Sequence, residues 1–301
     1  MDRRELLRNT GLAALLLGAA PLSRSLLRAA DSPTKKVLMF TRSQGFEHSV
    51  VKRNGGKLSL AEQIVTDLGP KNGYEVVCEK DGRVFLSKDF PRFDAFLFET
   101  QGNISADTSL DGAPPIPAEG KKALLDAIAG GKGFAGCHCA SDTYHSPGPG
   151  NENQDRSKVD PYIAMLGGEF IVHGSQQDST MHIADPKFPG LKGLDDFKLK
   201  EEWYALKNFA DDLHVILVQE TKGMHDAMYQ RPDYPATWAR KHEKGRVFFT
   251  SMGHREEVWK NEIFQNLLMG GLAWALGNID ADVKPNLEKA APKGTELPAK
   301  K

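Results

Sequence analysis

The sequence predicts an α/β protein with a mainly parallel β-sheet covered by helices on both faces. Two observations carry that class. Short apolar runs alternate with amphipathic stretches between residues 37 and 276, the pattern of right-handed strand-helix-strand crossovers. Polar and reactive side chains stand directly after several of those runs, where the carboxyl ends of parallel strands meet a ligand.

Val37-Leu38-Met39-Phe40 reads as the first strand, and the polar loop Thr41-Arg42-Ser43-Gln44-Gly45-Phe46-Glu47-His48 follows it. Residues 55–68 place apolar side chains at 58, 60, 61, 64, 65 and 68, which predicts an amphipathic helix. Strands follow at 74–78 and 93–98, the second running into Glu99-Thr100-Gln101. Residues 117–129 predict a helix with Pro117 in its first turn and Gly130-Gly131 at its stop. The fourth strand is 133–137. Residues 146–160, rich in Gly, Pro and Asn, form a loop of the kind used as a lid or binding loop, ahead of a short helix at 160–166. Further strands are expected at 179–184, 214–220, 236–240 and 245–252, and a wide apolar face over 261–276 predicts the last helix. Residues 281–301 are polar and read as an extended or disordered tail.

Composition narrows the partners. The chain carries a formal net charge of −1, but its first 30 residues hold five Arg against Asp2 and Glu5, leaving 34 basic and 38 acidic residues beyond them. Such a body, with interspersed charges, gives nucleic acid no footprint. Arg3-Arg4, the apolar stretch 11–20 and Ala29-Ala30 have the layout of a twin-arginine signal peptide over residues 1–30. That apolar stretch is far shorter than the ~20 residues needed to cross a bilayer, so the expectation is export with no stable membrane insertion after processing. Three cysteines, Cys78, Cys137 and Cys139, make no disulfide framework.

Chemistry concentrates in K-G-F-A-G-C-H-C-A-S-D-T-Y-H at 132–145, where a buried-strand pattern turns abruptly into His138, Cys139, Asp142 and His145. His254 ends another apolar run after Gly253. If both strands are central and parallel, the two imidazoles share a rim. Close imidazoles disfavour double protonation, so one stays neutral and can accept a proton or ligate a divalent metal. A carboxylate from Asp142, Glu202 or Glu256 would orient a ring.

Several fragments together resemble the ThuA-like (trehalose utilisation) domains of the class I glutamine amidotransferase-like superfamily. They are V-L-M-F-T-R-S-Q-G-F-E-H at 37–48, G-F-A-G-C-H-C-A-S-D at 133–142, M-L-G-G-E-F-I-V-H at 165–173 and E-E-W-Y at 201–204. P-A-T-W at 235–238, G-R-V-F-F-T-S-M-G-H at 245–254 and G-G-L-A-W-A-L-G at 270–277 continue the series, so the likeness spans 35–280. It implies a flavodoxin-like, doubly wound core and a role in carbohydrate metabolism. Amidotransferases of this class place a nucleophilic Cys at a strand-to-helix elbow and pair it with a later His-x-Glu. Here His138 falls on the nucleophile position and His254-Arg255-Glu256 on the later pair, so glutamine hydrolysis is not expected.

Two functions from different classes stay open at this point. One is an exported enzyme acting on trehalose, a related glycoside or an oxidised sugar, with His138, His254, Asp142 and Glu202 as acid/base residues and His48, Gln101, His173 and Tyr204 binding substrate. The cofactor is undetermined, with a divalent metal as the candidate and His138, His173 and His254 as its candidate ligands. The other is a non-catalytic module that binds a small carbohydrate and has lost the amidotransferase nucleophile.

Overall fold

The computed structural model describes residues 34–298. The proposed signal segment, residues 1–30, lies outside the described residues. Eleven strands follow in chain order: β1 (Lys35–Phe40), β2 (Tyr74–Glu79), β3 (Ala95–Phe98), β4 (Gly133–Cys137), β5 (Glu169–His173), β6 (Gln177–Ile183), β7 (Phe197–Glu201), β8 (Tyr204–Lys207), β9 (His214–Gln219), β10 (Tyr234–His242) and β11 (Gly245–Thr250). Nine of them make one sheet in the order β2-β1-β3-β4-β11-β10-β9-β6-β7, and β5 pairs with β8 apart from it.

From β2 to β11 every pairing is parallel, and beyond β11 every pairing is antiparallel. Strands β2, β1, β3, β4, β11, β9 and β7 consequently point one way, and only β10 and β6 oppose them. The expected doubly wound core is present. Its winding reverses between β1 and β3, which opens a crevice beyond their carboxyl ends.

Alternation along the strands makes two apolar layers. Val37, Met39, Ala135 and Phe248 face one side with Val65 of α1 (Leu60–Leu68) and Leu268 and Leu272 of the long C-terminal helix. Leu38, Phe40, Phe134 and Phe249 face the other with Leu124 and Ile128 of α2 (Ala118–Ala129) and Tyr162 and Ile163 of α3 (Pro161–Leu166). Each large side chain buried in these layers stabilises the fold by roughly 1.5–3 kcal/mol. All four tryptophans are fully buried in them.

Local chemistry sets the helix ends. The first helix starts at Leu60, later than the expected 55, because Ser59 and Glu62 form a reciprocal capping box and Gly55 and Gly56 hold positive φ angles. Asn261 caps α5 (Glu262–Ala275), which follows the one-turn α4 (Glu256–Trp259). The segment after Asp280 departs from the tail expected there. Asn286 accepts from the Val215 backbone and its own N–H donates to Leu213, while Leu287 of α6 (Leu287–Ala290) and Ala291 are buried. Two apolar contacts and one well-placed Asn are enough to dock a polar segment. Among the described residues no helix is long and apolar enough to cross a membrane.

Candidate metal centre

Four side chains converge beyond the carboxyl ends of β1, β4, β7 and β11. His48 ends the loop after β1 and opens a 3-10 turn, Ser49–Val51. His138 follows β4 directly and begins a 3-10 turn, His138–Asp142, with φ at +35°, a conformation that a side-chain-bearing residue adopts only under constraint. Glu202 occupies the corner between β7 and β8. His254 follows Gly253, whose φ is +138° and on which a Cβ would stand 3.3 Å from both Cys137 Cβ and His138 Cβ. Glycine is required there for the chain to pass over the elbow.

The three imidazole centroids lie 5.2, 5.0 and 5.3 Å apart for His48–His138, His48–His254 and His138–His254. Glu202 Oε2 is 3.0 Å from His254 Nδ1 and 3.6 Å from His138 Nε2. One donor atom from each of His48, His138, Glu202 and His254 falls within 4.8 Å of the other three.

Hydrogen bonding leaves these donors open. His138 Nδ1 donates to the Ser251 carbonyl at 3.1 Å, so in the neutral ring Nε2 carries the lone pair. His138 Nε2, His48 Nδ1 and His254 Nδ1 are all buried without a hydrogen-bond partner. For His254 this holds despite the 3.0 Å approach of Glu202, which has ion-pair distance without hydrogen-bond alignment. Orphaned buried nitrogens each cost about 1–3 kcal/mol, and the two that approach the Glu202 carboxylate would be relieved together by a cation. Burial above all, with the neighbouring His138 and His254 adding to it, holds His48 well below the ordinary histidine value, so it is neutral as a ligand must be. Burial alone would raise Glu202, but contacts with His138 and His254 outweigh it and keep the carboxyl ionised far below the usual range. Three imidazoles and a carboxylate suit zinc and other first-row divalent metals.

Glu201, which motif reading passed over in favour of Glu202, holds the frame. Its Oε1 accepts from the Glu202 N–H at 2.8 Å, and its Oε2 accepts from the N–H groups of Gly253 and His254 at 3.0 and 3.2 Å. One buried carboxylate thereby fixes the backbone of two donor residues. Gln176 meets His254 Nε2 at 2.9 Å and also contacts Arg255.

The other expected site residues take different places. Tyr204 packs its ring 3.9 Å from that of His138, and His173 stacks on Tyr204 at 6.0 Å. His173, expected among the metal candidates, stands one step out: its Nδ1 is 3.4 Å from Glu202 Oε1, and its side chain is 46% exposed. Asp142 and Gln101 belong to a neighbouring chain of contacts. Gln101 Nε2 donates to Asp142 Oδ2 at 2.7 Å, and Asp142 Oδ1 meets His145 Nε2 at 2.8 Å. Glu256, the carboxylate of the His-x-Glu pair, is exposed at the start of α4. Cys139 is buried, its thiol pushed well up by burial and by Glu99, to which Sγ donates at 3.4 Å. That environment opposes a thiolate nucleophile.

The family model described as "ThuA: Trehalose utilisation" matches residues 36–275. Among solved structures, the chain is similar to a thua-like protein from Bacteroides uniformis ATCC 8492, with 17% identity, a TM-score of 0.59 and coverage of 85% of this chain and 96% of that one. A thua-like protein from Parabacteroides merdae ATCC 43184 is similar at 16% identity and a TM-score of 0.55, covering 89% of this chain and 98% of that one. At such identities the likeness is one of fold. A comparison with curated proteins finds no match.

Proposed function

The chain belongs to the ThuA (trehalose utilisation) family, and from that premise we propose that it is an exported enzyme acting on trehalose, a related glycoside or an oxidised sugar. The observation that carries catalysis is that one donor atom from each of His48, His138, Glu202 and His254 lies within 4.8 Å of the others, each of the three histidines having a buried ring nitrogen without a hydrogen-bond partner. His48, His138, Glu202 and His254 would hold a divalent cation, whose chemistry is to polarise a sugar hydroxyl or carbonyl oxygen.

The surrounding groups have separate work. Glu201 keeps Glu202 and His254 in place through the backbone. Tyr204 walls the elbow and excludes water from one side of His138. His173, half-exposed and 3.4 Å from Glu202, is the group placed to move a proton to or from a sugar oxygen at the rim. Acid/base work thus falls to His173, with His138, His254 and Glu202 serving it as ligands.

The test is metal analysis of the protein purified without the first 30 residues, followed by turnover of a panel of glycosides and oxidised sugars before and after chelation. About one equivalent of divalent metal, with turnover lost on chelation and restored on readdition, is expected. Sugar binding without turnover in the loaded protein would establish a binding module instead, and absence of metal would overturn the centre.

A further inference from the structure

Phe46 is 55% exposed, and the loop that displays it is held by Gln101. The Gly45 and Phe46 N–H groups both donate to Gln101 Oε1, at 2.8 and 2.7 Å, and the Gln44 N–H donates to the Gln101 carbonyl at 2.9 Å. The carboxamide is itself fixed through Asp142 and His145. An isolated exposed apolar residue is ordinary on a protein surface. Three consecutive backbone N–H groups, ending at Phe46 itself and all held by Gln101, are not what an idle loop tip has. The ring also has an address: its centroid lies 4.9 Å from that of His48, nearly perpendicular to it, so it borders the four-donor cluster.

Across the cluster, Tyr204 packs on His138 and carries the half-exposed His173. The cluster is therefore bordered by a pinned, exposed aromatic at His48 and by a second set of stacked rings at His138. A pyranose ring has two sorts of surface, hydroxyls at its edge and C–H groups on its faces. The geometry points to Phe46 as the platform on which the C–H face of a hexopyranose stacks while its hydroxyl edge meets the cluster. This rests on the carbohydrate function proposed above and adds the residue that selects a ring over an open-chain polyol. Preorganisation matters because a platform already ordered loses little freedom on binding.

The experiment measures trehalose and glycerol binding calorimetrically on the metal-loaded mature protein. Phe46→Ala should weaken trehalose about tenfold, with Phe46→Trp equal to or tighter than the parent, because an aromatic face contributes beyond plain burial. Phe46→Leu should fall between them. Metal content should stay unchanged in all three, and glycerol should bind no differently in any of them. If the parent binds trehalose and Phe46→Ala binds it within about twofold, the platform is wrong and the carbohydrate function stands. If the parent binds neither trehalose nor any other glycoside in the panel, the carbohydrate function fails and takes the platform with it.

Discussion

The Ser251 carbonyl accepts a hydrogen bond from His138 Nδ1 at 3.1 Å, and this contact decides which ring nitrogen faces the cluster. A carbonyl has no proton to give, so the neutral ring has one tautomer, with the lone pair on Nε2, 3.6 Å from Glu202 Oε2. That separation is too long for a direct hydrogen bond and leaves the nitrogen open.

Replacing the carboxylate should therefore empty the centre. Glu202→Gln is nearly isosteric but removes the one negative charge among three imidazoles. Loss of a direct ligand should exceed the 10–100-fold typical of supporting partners, so divalent affinity should fall by more than about 100-fold with the fold intact. Calorimetric titration of zinc or manganese checks it, and an unchanged affinity would refute the four-donor set.

His138 should show a trade between stability and chemistry. Its φ of +35° stores strain of the order of 1–3 kcal/mol, which glycine would not feel and alanine would. Both His138→Ala and His138→Gly remove the imidazole and its bond to Ser251, so their difference isolates the backbone. Urea unfolding should find the glycine variant more stable by about 1 kcal/mol, with metal binding lost in both. Equal stabilities would mean that the elbow is unstrained.

Export rests on Arg3-Arg4 and the apolar stretch behind them. Changing both arginines to lysine keeps the charge but removes the pair that twin-arginine export reads, so full-length precursor should accumulate in the cytoplasm. Cell fractionation decides it, and unchanged localisation would rule out that route.

Much of this was legible in sequence because parallel strands put chemistry directly after apolar runs. His138 and His254 could be paired from that rule alone, and the structure brings their rings to 5.3 Å. What could not be read was which of the other candidates join them. His48, expected to bind substrate, and Glu202, expected to catalyse, both stand in the donor cluster, because only the fold brings the corner after β7 beside the β11 exit. Glu201 and Glu202 are adjacent acids with opposite directions, one to backbone N–H groups and one to imidazoles, and composition does not separate them. The pairing of β5 with β8 also escaped, since β8 has four residues, β5 has five, and the ladder is interrupted by a register shift. Gln176 gave no signal, being a glutamine in a polar stretch.

Hydrogen bonds with Asp142 and then Glu169, opposed by burial, raise His145 to about 9. Its folded value thus lies above the ordinary ~6.5, so its contribution to stability is fully present below about pH 6.5 and is lost as pH rises through about 9. The side chain is 47% exposed, so solvent screening cuts the full linkage energy to about 1 kcal/mol. His145→Gln should accordingly be less stable than the parent by about that amount at about pH 6, with the gap closing by about pH 10. Because His145 secures Asp142, and Asp142 secures the Gln101 carboxamide under the Phe46 loop, amide exchange at Gly45 and Phe46 should quicken in the variant. A stability gap that widens with pH would reverse the sign and show that neutral His145 is the form the fold prefers.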